Sequence, residues 1–290
     1  MMRELHRRWI YLLVALALSV PLILRVSVPP ARMRAADRAY DLIRDVEIAP
    51  HQIVLMAFDF GPNIKAENGS QAEVVLEHLM RRRIPVALFS LYVQAEPFLK
   101  SIPEKVASRL MAENPGEVWR YGEDWVNLGF RPGNFLVLQS LARSEDITAF
   151  FGKDAFANRL ADIAAFRNAK TVKDIALLVE ISGLQGMLEL YLRFFRAEGY
   201  VPKVVHGCTS ISIPDAYIFL DSGQLSGLLE GIAGAAWYSA RLRKEYPRQE
   251  ADEAQILNTS LGVAHLLIIL LVIVGNVVAV RSARRGVAQA

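Results

Sequence analysis

The polar residues of this chain that could do chemistry stand where apolar runs end. "FDFGPN" closes the first run with Asp59, Gly61 and Asn63, and the second run ends in Ser90 and Tyr92. "VNLGFRPGN" contributes Asn127, Gly129, Arg131 and Gly133. The fourth run ends in Glu180 and Ser182, the fifth in Thr209 and Ser210. In an open parallel sheet, ligands bind beyond the carboxyl ends of the strands. Asp59, Asn127, Glu180 and Thr209 are therefore expected to share one rim. A helix beginning near Gly133 would aim its N-terminus there, which favours an anion, and Arg131 would add positive charge. A small carboxylate or phosphate is the ligand this pattern suggests. The plainer alternative is that strand-end Asp, Asn, Ser and Thr cap helices and form turns.

Other chemistries find little support. After the first run, "DFGPNIKAENGS" has the wrong glycine spacing for GxGxxG, and GxxxxGK[ST] is absent. No nucleotide or other cofactor is expected. His51, His78 and His206 lack metal-ligand spacing, and His78 is expected on an exposed helix face. The single cysteine, Cys208, excludes an internal disulfide and a Cys-rich metal site. HExxH and GxSxG are also missing. His206 and Cys208 lie two apart on one strand and share a face, which ordinary packing explains. Asp59 and Glu180 could pair as carboxylates, but sequence does not set their separation. The residues name no reaction.

The elements that must position these residues follow a rhythm. Apolar runs at 51–60, 84–92, 124–130, 174–182 and 202–210 read as five strands. Helical patterns at 70–83, 97–114, 133–144, 186–199 and 222–246 follow them in turn. Ser70 and Glu73 have the spacing of a capping box, Pro103 suggests a break in the second helix, and Gly199 suggests the end of the fourth. Strands alternating with helices imply βαβ units. Continuous apolar strands imply a parallel sheet covered on both faces. The expected fold is α/β: a three-layer, doubly wound, mainly parallel five-stranded sheet, Rossmann-like or flavodoxin-like, over 47–250.

The ends point to a membrane. The chain has 290 residues, 53% of them hydrophobic, and a formal net charge of +3. That charge is too small to suggest a nucleic-acid partner. Residues 9–24 carry no charge and read, with 25–28, as a short anchor. A cleaved signal peptide is the alternative, but "RVSVPPARMR" is a poor cleavage site. Residues 29–46 read as a juxtamembrane amphipathic helix. Residues 254–280 are uncharged and long enough to span, with His265 and Asn276 near the two ends of the run. Arginines before the first span and in the tail 281–290 place both termini in the cytoplasm by the positive-inside rule. The α/β domain is then extracytoplasmic.

Gly223, Gly227, Gly231 and Ala235 recur every fourth residue in the last helical pattern. Glycine weakens a helix, so the series suggests a compensating close contact: the chain's own sheet, a second copy, or another membrane subunit. "FDFGP", "VNLGFRPG" and "SGQLSGLLEGIAGAAWY" together resemble a group of uncharacterised prokaryotic membrane proteins with two terminal spans around an α/β domain. The resemblance implies the architecture and no activity. Ser239 stands where that group's last motif continues with an acid. Two functions fit: assembly or ligand sensing within a membrane complex, or a tethered enzyme or binding protein for a small anion.

Overall fold

A computed structural model describes residues 7–195, 200–248 and 250–287. The strands are β1 Ile53–Asp59, β2 Val86–Ser90, β3 Trp125–Phe130, β4 Ile175–Ser182, β5 Lys203–Cys208 and β6 Gly227–Glu230. The helices, in chain order, are α1 Arg7–Ile23, α2 Arg34–Asp45, α3 Lys65–Arg81, α4 Glu96–Glu113 and α5 Phe135–Ala142, then α6 Ile147–Phe151, α7 Met187–Phe194, α8 Ile213–Asp221, α9 Gly231–Glu245 and α10 Glu253–Val287.

All strand pairs are parallel, in the order β3-β2-β1-β4-β5-β6. The sheet thus has six strands rather than the five expected, and its order is that of a Rossmann-like fold, reversing between β1 and β4. Every residue of β1 and β2 is buried, because both faces are covered. Val54, Met56 and Phe58 pack under α2, α3, α4 and α9. Ile53, Leu55 and Ala57 pack under α5, α6, α7 and α8.

Several expectations give way to packing. Residues 222–246 are not one helix. Gly223 lies in a turn with φ of 77°, Gly227 opens β6, Gly231 opens α9, and only Ala235 is inside a helix. The four therefore form no common helical face. A Cβ on Gly227 would stand 2.5 Å from the Ala39 backbone, so this glycine lets α2 lie directly on the edge strand. The helix expected next to the membrane, α2, is consequently part of the sheet packing, with Tyr40 and Ile43 buried.

The helix α3 starts at Lys65, which leaves Ser70 in its interior, donating back to the Ala66 carbonyl, and no capping box forms. α4 runs unbroken through Pro103. His78 is fully buried, stacked on Tyr40 with Nδ1 2.7 Å from the Tyr238 hydroxyl; burial pulls its pKa down to about 4. Gly199, expected to end the fourth helix, lies outside the described residues.

By length and composition, one helix among the described residues can cross a membrane: Glu253–Arg281, which contains an 18-residue stretch of mean hydropathy 2.8. α1 has 17 residues, roughly 26 Å at 1.5 Å per residue, short of a full hydrocarbon core. It packs beside α10, where Ser260 donates to the Leu18 carbonyl.

The start of α10 is gripped by charge. Glu77 of α3 has no exposed side-chain surface and meets Arg81 at 2.8 Å, Arg109 of α4 at 2.5 Å and Arg243 of α9. Burial resists its ionisation, but Arg109, Arg243 and Arg81 outweigh that and hold its pKa at about 2. Arg243 and Arg248 pair with Asp252, and Lys105 bridges Glu73 at 2.6 Å and Glu253 at 2.9 Å.

Gly227→Ala forces a methyl into the α2 backbone and should cost about 1–3 kcal/mol. Unfolding of the full chain in detergent measures this; an unchanged midpoint would refute the close contact.

Candidate functional site

β1 and β4 deliver Asp59 and Ser182 side by side at the point where strand order reverses. Asp59 is fully buried and its oxygens are taken. Oδ1 accepts from the Ser90 hydroxyl at 2.9 Å and the Leu91 amide at 2.7 Å; Oδ2 meets the Tyr191 hydroxyl at 2.7 Å. The carboxyl thereby ties β1 to the loop after β2 and to α7. Burial first, and the neighbouring Glu180 charge second, push its pKa up to about 7, against the three hydrogen bonds.

Glu180 lies opposite Ala57, inward of the strand end, and is also fully buried. Its Oε2 rests against His206 Nδ1, which stands 3.1 Å from the Glu180 carbonyl. Neither Glu180 carboxylate oxygen has another hydrogen bond. Beside His206, a cavity of about 30 Å³ opens between α7 and α8, lined by Ser182, Gln185, Ser212 and Asp215, room for about one water. Cys208 is sealed, and burial raises its thiol to about 12. It is no nucleophile at neutral pH.

The crevice at the strand-order reversal is closed by the chain itself. A Cβ on Gly183 would meet Ile64 Cδ1 at 2.5 Å and Thr209 Cγ2 at 2.6 Å, so those side chains fill the place where Rossmann-like proteins hold ligands. Thr209 is buried there. Inside α3, Gln71 Nε2 donates to the carbonyls of Cys208, Leu229 and Gly231, and Asn68 to that of Gly207. These two residues staple the helix to the ends of β5 and β6. The sequence pattern begins the helix at residue 70, which leaves Asn68 outside it, and nothing local marks Gln71 as reaching carbonyls of β5 and β6.

The open space lies to the other side. A cleft of about 790 Å³ sits at the ends of β1, β2 and β3. Pro62 and Asn127 line its inner end, Pro97 and Lys100 of α4 one wall, and Val93 and Phe156 the rim. Its surface is mostly apolar, and Val93 and Phe156 are about half exposed. Asn127 is the one strand-end residue of the expected rim that reaches it; its Oδ1 accepts from the Gly129 amide at 2.8 Å. Val93 and Phe156 belong to no motif, so no local sequence signal marks the cleft.

The "GFRPGN" turn approaches its own fold. The Arg131 amide donates to the Ser90 carbonyl, and its guanidinium donates to the Lys153 carbonyl and lies over the Phe151 ring. Gly133 is exposed, and α5 behind it packs on α7, with Phe135 against Phe194. Gly61 is pressed against the Gln94 side chain, and Asn63 is exposed in a short 3-10 turn. The expected residues therefore divide among a buried knot (Asp59, Glu180, Ser182), a plugged crevice (Thr209), a cleft (Asn127) and surface turns (Asn63, Arg131, Gly133). Among the described residues no His, Cys, Asp and Glu cluster suited to a metal occurs. Comparisons with protein-family models, curated proteins and solved structures returned no match.

Because the folded state raises the Asp59 pKa, Asp59 favours folding below its unfolded value near 4. That contribution is lost as pH rises toward 7, by at most roughly 4 kcal/mol. In Asn, Oδ1 can still accept from the Ser90 hydroxyl and the Leu91 amide, and Nδ2 can donate to the Tyr191 oxygen, without the charge. Asp59→Asn should thus flatten the stability profile between pH 4 and 7 in thermal melts, and parallel profiles for the two proteins would disprove the buried titration.

Proposed function

We propose that the chain is a membrane-anchored ligand sensor. Its α/β domain takes a small, largely apolar molecule in the cleft at the ends of β1, β2 and β3. In this reading α1 and α10 form an antiparallel pair of spans, both termini are cytoplasmic, and the domain is extracytoplasmic, as the terminal arginines suggest.

One observation carries the reading: α4 belongs to both ends of the domain. Its first turns, at Pro97, Lys100 and Ser101, wall the cleft, while its later turns supply Lys105 and Arg109 to the ion pairs around Glu253 and Glu77. A ligand leaning on α4 would bias the helix that holds the start of α10. Coupling of this kind requires a ligand that distinguishes two arrangements of that contact. The cleft lining sets Lys100 against Glu96 and Glu104, which favours a neutral or apolar ligand over the anion suggested by the strand ends.

Melting of the full chain in nanodiscs, titrated with benzamide, indole and naphthalene sulfonate, tests the cleft. A neutral probe should raise the midpoint, by about 2.7 kcal/mol of stability at one hundred times its dissociation constant, and Ser101→Trp, which fills the cleft, should abolish the rise. No response to any probe, or one indifferent to Ser101→Trp, would reject the cleft. Hydrogen exchange tests the sensing: ligand protection should reach residues 253–257, and protection confined to the cleft would leave a binder without coupling.

The assembly reading keeps one support. Ile211, in the turn before α8, and Ile218, on α8, stand 88% and 65% exposed, a place for a second copy or another membrane subunit. Light scattering of the full chain in detergent decides it, since a monomer that Ile218→Asp leaves unchanged would end this reading.

A further inference from the structure

A second cavity, of about 470 Å³, lies where α1, α3 and α4 meet the segment entering α10. Its composition is divided. Leu22 of α1 and Ile256 and Leu257 of α10 give it an apolar side, and Arg25, Lys105, Arg109 and Arg248 give it a cationic side. Three carboxylates also line it, two of them already engaged: Glu73 and Glu253 are held by Lys105. The third, Glu250, is 80% exposed and touches Arg25 only loosely, at 3.9 Å.

Two cations keep unused donors. Arg109 Nε is buried without an acceptor. Arg25 is 63% exposed, with that loose contact as its ion pair, and is held in the left-handed backbone region, φ 51°, at the end of α1. Buried donors without acceptors are rare because leaving them unpaired is costly. The cavity opens at the first turn of α10, where the uncharged run begins.

From this we infer that the cavity is a binding site for the phosphate headgroup of an anionic membrane lipid. The phosphate takes Arg25, displacing Glu250, with the Arg109 guanidinium adding positive charge behind it, while the acyl chain lies along Leu22 and Leu257. Anionic headgroups are the phosphates present at that height if α10 spans, so the inference rests on the membrane reading above. An apolar side facing a cationic one fits an amphiphile better than it fits a free ion.

The test uses the full chain, purified and delipidated in a neutral maltoside detergent. Native mass spectrometry and melting are followed while phosphatidylglycerol, phosphatidylcholine or inorganic phosphate is added. Phosphatidylglycerol should bind at least about tenfold more tightly than phosphatidylcholine, and Arg25→Glu should weaken it about fivefold or more per cation lost. Ala251→Trp, which narrows the cavity without touching a charge, should weaken it too. Both variants should melt like the parent when no lipid is added. Equal binding of the two lipids, or a preference that survives both variants, overturns the site. A response to inorganic phosphate equal to that for phosphatidylglycerol overturns the lipid assignment. Vesicle flotation separates this failure from failure of the membrane reading. A chain that floats with vesicles yet shows no headgroup preference loses only the site, and one that floats with none loses both.

Discussion

A carboxylate with no exposed surface sits at the junction of three helices. Glu77 projects from α3 into arginines of α3, α4 and α9, and its charge is tolerable only because three guanidiniums meet it. Arg243 then passes the connection to Asp252, just before α10. One ionised group thereby fixes the layer of helices on one face of the sheet and sets where the long apolar helix leaves the domain. A hydrophobic residue of similar size could fill the space, but it would leave three cations facing one another. The charge ties α3, α4 and α9 to one arrangement, because moving any of them would leave a buried carboxylate or guanidinium short of a partner.

The sheet was legible in the sequence where apolar runs were long. β1 and β4, with seven and eight residues, are buried on both faces and read as continuous runs. β6 was not legible. It has four residues, Gly227 to Glu230, and glycines at 223, 227 and 231 imitate the spacing of a small-residue helix face. The same glycines answer to three different demands: a turn at Gly223, close approach of α2 at Gly227, and the start of α9 at Gly231. Spacing alone cannot separate these, because the demand is set by Ala39, far away in sequence. α3 shows the same limit. Its start at Lys65 is decided by Asn68 and Gln71 reaching carbonyls of β5 and β6, contacts that no local pattern records.

The site was legible in part. The rule that function gathers at strand ends led to Asp59, Glu180, Ser182, Thr209 and Asn127, and those residues do lie at or near the carboxyl edge of the sheet. What the rule cannot see is which strand ends are open. Tyr191, Ser90 and the Leu91 amide consume Asp59, while Ile64 and Thr209 close over Gly183. The cleft lies on the β1–β3 side, and its apolar surface comes from Pro62, Val93, Pro97 and Phe156, with Glu96, Lys100 and Glu104 of α4 along one wall. Apolar walls of this kind are typical of small-molecule clefts, and they carry no motif.

The contact between Ala39 and Gly227 also orders events in time. α2 is synthesised well before β6 and α9, on which it lies, and Trp237 and Arg241 of α9 bond its Asp37. The wait is roughly 190 residues, about 10–40 s at ordinary synthesis rates. Throughout it, the apolar side of α2 and the unfinished edge of the sheet are uncovered. This face of the domain is therefore sealed late, by segments far apart in the chain, and α2 can take its final place only after α9 has been made.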